Sequence, residues 1–156
     1  MKKHLSIFLM AVFLFFAFPL IALENTSGNP RVNRRLGVGI QLGGPTLICS
    51  AQVDYFLTPA INFEAGAGLV GLYSGVKIHL SQSNWSPYLG VKVTFLPELK
   101  LFGGGEWNPG LYVPFGMQYL SRDGFTFAFE AALLLTDGIG WGLEPFWAGL
   151  KFGYHF

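Results

Sequence analysis

A few side chains in this 156-residue chain have types and spacings that suggest chemistry. The tightest pair is His79 and Ser81, a base and a hydroxyl in the stretch "HLS". Nucleophilic catalysis needs the hydroxyl beside the base and an acid to orient that base. The structural alternative is a turn-initiating serine next to an interior histidine. His79 and His155, with Asp54 as a third donor, suggest a metal site, but nothing in their spacing sets a ligand geometry. "FGGGEW" has three glycines but no following helix and no Lys-Ser/Thr, which excludes a phosphate loop. Cys49 is the single cysteine, which excludes an internal disulfide, and it occupies an apolar strand position where an inert thiol is expected. What remains is a balanced set of charges, with Asp54, Glu64 and Glu130 against Lys77, Lys92 and Lys151.

The elements that position these charges have a period of two. Eight stretches alternate: 36–44, 47–55, 61–69, 73–80, 88–95, 111–119, 125–135 and 146–156. In the first, Leu36, Val38, Ile40 and Leu42 oppose Gly37, Gly39, Gln41 and Gly43. In the last, Phe146, Ala148, Leu150, Phe152, Tyr154 and Phe156 oppose Trp147, Gly149, Lys151, Gly153 and His155. Strands of about 8–11 residues cross a bilayer when tilted. Pro114 removes one ladder donor, so a bulge or a weakened pair is expected there.

The chain is 51% hydrophobic and 12% charged, against roughly 25% charged in a typical soluble domain. The less apolar face is rich in Gly, Ser, Gln, Asn and Thr and holds only the six charges named above. A water-facing surface needs about a quarter to a third of its positions charged. A narrow barrel interior needs small residues and charges that cancel. The apolar face carries no charge, as contact with lipid requires. The expected fold is therefore all-β, an eight-stranded antiparallel up-and-down transmembrane barrel spanning residues 36–156. If the first strand starts in the periplasm, the aromatics Tyr55, Tyr119, Phe125, Tyr154 and Phe156 share one level as an interfacial girdle, and the two longest connections face outward.

Ahead of the barrel, Lys2 and Lys3 precede an apolar run from Leu5 to Leu23, the pattern of a signal peptide cleaved after about Ala22. Residues 23–35 form a polar, exposed tail. A net charge of +1 with no basic stretch beyond Arg31, Arg34 and Arg35 argues against a nucleic-acid partner.

The alternating strands and the ending "FGYHF" make residues 36–156 resemble the small bacterial outer-membrane barrels of the OmpA/OmpX type. In that family the last strand ends on an aromatic, which implies that the barrel-assembly machinery recognises Phe152, Tyr154 and Phe156. Within outer-membrane barrels, the His79–Ser81 pair is similar to the His-x-Ser of lipid A deacylases, but Gln82 stands where those enzymes carry Asn. The short first and second outer connections depart from the long-looped OmpX pattern.

These features lead to a non-enzymatic, monomeric barrel in contact with outer-membrane lipid, with a structural or surface-interaction role and no cofactor. A narrow porin-like pore or transporter for small or hydrophobic solutes is the alternative, and a lipid-modifying enzyme the second. Phe102, Trp107 and Trp141 in the outer connections are candidate contacts for a hydrophobic ligand or a surface protein. Asp54, Glu64, Lys77, His79, Lys92, Glu130, Lys151 and His155 form the expected interior polar network.

Overall fold

The computed structural model describes residues 29–97, 107–136 and 146–156. A short helix α1 (Pro30–Asn33) precedes strands β1 (Leu36–Gly43), β2 (Cys49–Phe56), β3 (Ile61–Gly68) and β4 (Gly71–His79). Strands β5 (Trp85–Pro97), β6 (Trp107–Leu120), β7 (Phe125–Thr136) and β8 (Phe146–His155) complete the chain. Each strand pairs antiparallel with the next, and β8 pairs with β1, so the sheet closes into a barrel. Closure leaves no free edge, the condition a sheet must meet to survive in lipid.

Alternation decides which side chain goes where. Leu36, Val38, Ile40 and Leu42 are exposed on the outside, as are Phe125, Phe129, Leu133 and Leu135 on β7. The polar residues of opposite parity are buried inside. This inverts a soluble protein's distribution and matches a membrane barrel. At the end carrying the chain termini, outward aromatics gather: Trp85 stacks on Tyr119 at 5.0 Å, and Tyr154 meets Phe156 edge-on at 5.2 Å. Phe125 pairs with Tyr154 across the β7–β8 ladder, and Tyr55 with Phe63 across β2–β3.

Pro114 weakens the ladder without shifting it. Pairing between β5 and β6 runs from Trp85↔Tyr119 to Leu89↔Phe115, lapses, and resumes at Lys92↔Tyr112 in the same register. A bulge would have added a residue on one side, so the proline costs pairing alone.

Several boundaries differ from those read in the sequence. Trp107 was expected in a connection but opens β6, paired with Pro97 and facing outward. Trp85, expected in a turn, opens β5. Leu47 was expected to face outward, yet it is buried. Gly43 and Gly44 take φ of +69° and +72°, and Gly44–Thr46 coils into a single 3-10 turn. That turn tucks Leu47 into the mouth of the barrel opposite the termini, where it joins Val70 and Leu96, with Leu134 and Trp147 packed against them. This apolar cluster lines that end of the lumen.

The segment before β1 is not an exposed tail throughout. Asn29 caps α1 by accepting from the Arg31 amide at 2.9 Å, and Pro30 supplies the preset φ of a first helical position. The turn brings Arg31 to the other mouth of the barrel, fully buried.

Candidate functional site

The period of two that sends Phe63 outward sends Glu64 inward, to the centre of the lumen. Its carboxylate meets three lysines: Lys77 at 2.5 Å, Lys92 at 2.7 Å and Lys151 at 3.0 Å. The Tyr73 hydroxyl donates to it at 3.0 Å and also lies 3.0 Å from Gln52 Oε1. Lys151 also bonds Asp54, and Asp54 faces His155 Nε2 at 3.2 Å. Lys92 lies 3.8 Å from Glu130. Glu130 accepts from Tyr88 at 2.7 Å, Tyr112 at 2.8 Å and Gln41 at 2.6 Å. The structure therefore joins three carboxylates and three lysines, drawn from six strands, into one connected hexad.

Burying charge is tolerable only when pairing is complete. Here each lysine faces at least one carboxylate and the formal charges of the hexad cancel. Lys92 gains further from the faces of Tyr73 and Tyr112, with centroids at 5.0 and 5.5 Å, and Lys77 from Tyr88 at 5.1 Å.

Room for these groups comes from glycines on neighbouring strands. Tyr73 lies across the ladder from Gly66, Tyr88 from Gly116, and Lys92 from Gly75. A Cβ on Gly66 would sit 2.6 Å from the Tyr73 ring, and one on Gly116 2.7 Å from Tyr88. The lumen is thus packed large against small. Glu64 is 0% and Lys92 1% exposed, so neither lines a water-filled channel.

The catalytic and metal arrangements are not assembled. His79 packs between Phe56 and Tyr88, with centroids at 5.4 and 5.5 Å, and neither of its ring nitrogens has a hydrogen-bond partner. The Ser81 hydroxyl instead pairs with that of Ser83 at 2.9 Å. His155 stacks on the same Phe56 at 5.3 Å, so an aromatic ring packs against both histidines. Among the described residues no group of three His, Cys, Asp or Glu is placed to hold a metal ion.

Of the outward candidates, Phe152 and Tyr154 face out on β8, with Phe127 stacked on Phe152 at 5.1 Å. Phe156 donates its amide to the Leu36 carbonyl at 2.8 Å, continuing the seam. Trp107 is exposed at the rim. Phe102 and Trp141 lie outside the described residues. Sequence reasoning did not assign roles to Tyr73, Tyr88, Tyr112, Gln41, Gln52 and Arg31. The first five have inward parity, which was the available signal. Arg31 had only the cap-and-proline pattern "NPR" of its turn.

A closed eight-stranded barrel with lipid-facing apolar residues and a charge-balanced core defines the class of small transmembrane β-barrels. Among solved structures, the chain is similar to the N-terminal β-barrel domain of Pseudomonas aeruginosa OprF, with a TM-score of 0.56 and 17% identity over 80% of this chain and 98% of that one. The likeness is one of fold. No family model matches the chain, and no curated protein sequence shows significant similarity to it.

Proposed function

We propose that this chain is a resident outer-membrane barrel with a non-enzymatic, structural or surface-interaction role and no conducting lumen. Residues 1–22 act as a cleaved export signal, and Phe152, Tyr154 and Phe156 present the β8 aromatics to the barrel-assembly machinery. The observation that carries the non-conducting reading is the hexad centred on Glu64, whose members fill the cross-section between β2 and β8. An eight-stranded barrel is ordinarily just wide enough for its side chains. The likeness to the OprF β-barrel domain supports the fold on which this reading rests. Trp107, exposed at the rim, is the surface offered to a lipid or protein partner, and Phe102 and Trp141 are further candidates on sequence grounds alone.

Planar-bilayer recording of the purified barrel tests this reading. The expected record is a flat baseline. Stable single-channel steps whose size changes in Glu64→Gln would overturn it in favour of a narrow pore.

A further inference from the structure

A second polar group lies at the mouth that carries the termini. Arg31 is 0% exposed there. Its Nη1 donates to the Ser83 carbonyl at 2.6 Å, and its guanidinium lies over the Phe56 ring at 5.8 Å. Its Nε and Nη2 have no partner. Neither does the side-chain amide of Asn62, nor either ring nitrogen of His79, and both residues are buried. Asn62 stands directly across the β2–β3 ladder from Phe56, and the His79 ring lies 5.4 Å from the Phe56 ring. Unpartnered donors from α1, β3 and β4 therefore gather around one aromatic side chain.

Charge distinguishes this cluster from ordinary hydrated polar groups. The hexad is neutral by itself, and Arg31 forms no ion pair with any described carboxylate. Burial lowers its pKa to about 10, and no acid among the described residues offsets that shift. Water can satisfy an N–H, but it does not neutralise a cation held out of solvent.

We propose that this mouth is a binding site for a small inorganic anion of the halide class. Arg31 supplies charge and two donors through Nε and Nη2, and Asn62 and His79 supply neutral N–H groups. The bound ion completes the electrostatics of the terminal mouth and fastens the segment around α1 beneath the barrel.

Bromide is the probe. The purified protein in non-ionic detergent is melted in sodium bromide and in sodium gluconate at equal ionic strength. For the wild type, the unfolding midpoint should rise with the logarithm of bromide concentration, as selective binding to the folded state requires. The rise should vanish in Arg31→Gln and persist in Arg34→Gln, which removes a more exposed arginine at the same mouth. Crystals of the wild type grown in bromide should show anomalous density within hydrogen-bonding distance of Arg31 Nε and Nη2, a readout that does not depend on any variant folding. Equal midpoints in the two salts, an unchanged bromide response in Arg31→Gln, or water or a carboxylate of the chain seated on Arg31 without anomalous density would each overturn the proposal. None of these would bear on whether the barrel conducts.

Discussion

Lys151 on β8 holds Asp54 on β2 and Glu64 on β3 with one ammonium group, the Glu64 contact being 3.0 Å. Its strand closes the barrel against β1. One side chain from the last strand thus ties the closing seam to the second and third strands.

Removing that ammonium should be costly. Lys151→Met leaves two buried carboxylates short of a partner, and breaking a buried pair from one side costs about 3–5 kcal/mol. Lys151→Met with Asp54→Asn should recover part of that loss. Urea unfolding in detergent, followed by the loss of heat-modifiable migration on gels, measures both.

Glu130 relies on neutral donors more than on its lysine. Tyr112→Phe removes a 2.8 Å hydrogen bond to a buried carboxylate, a contact worth about 1.5–3 kcal/mol. Tyr88→Phe removes a 2.7 Å bond to the other oxygen of Glu130 and should cost a similar amount. The same unfolding assay reads both, and the double variant should exceed the sum because the carboxylate then loses donors on both oxygens.

Gly66 is a packing position and not an opening that can be narrowed. A Cβ there meets the Tyr73 ring at 2.6 Å and the Ala51 carbonyl at 2.8 Å. Gly66→Leu should abolish refolding, and Gly66→Ala should lower the yield of compact barrel. If Gly66→Leu folds with wild-type stability, the lumen is not packed as described.

The outer face makes a separate prediction about depth. Trp85 opens β5, while Trp107 pairs with Pro97 at the other end of that strand. A tilted strand of this length spans about 30 Å, the thickness of the hydrocarbon core. Single-tryptophan variants retaining Trp85 or Trp107 should both be quenched best by lipids brominated near the headgroup. Stronger quenching from mid-chain bromines would place that end inside the bilayer.

The β8 aromatics should matter more to cells than to the folded barrel. Phe156→Ala removes an exposed ring and keeps the backbone bond to Leu36. In-cell assembly into the outer membrane should fall several-fold, while refolding from urea into detergent should be nearly unchanged. Equal losses in both would make Phe156 a stability residue and end its reading as an assembly signal.

Much of this architecture was legible because a strand offers only two faces. Once Phe63 and Ala65 are assigned to lipid, Glu64 must enter the lumen, and the same logic carries Lys77, Lys92, Glu130 and Lys151 inside. Parity does not supply register, however, and register decides which tyrosine lies across from which glycine. Tyr73 opposite Gly66 and Tyr88 opposite Gly116 therefore emerged only from the structure. Leu47 escaped the pattern because two positive-φ glycines and Pro45 end the alternation and turn it inward. Arg31 escaped because a single helical turn has no period to read, and its burial depends on where β1 begins relative to the barrel mouth.

The position of Lys151 also bears on the order of folding. Strands β1–β7 together hold Asp54, Glu64 and Glu130 but only Lys77 and Lys92, so an open seven-strand sheet carries one carboxylate too many inside. The missing counter-charge arrives with the strand that seals the seam. A partly closed barrel is therefore penalised electrostatically as well as by its bare edges, and arrival of β8 relieves both penalties in a single step.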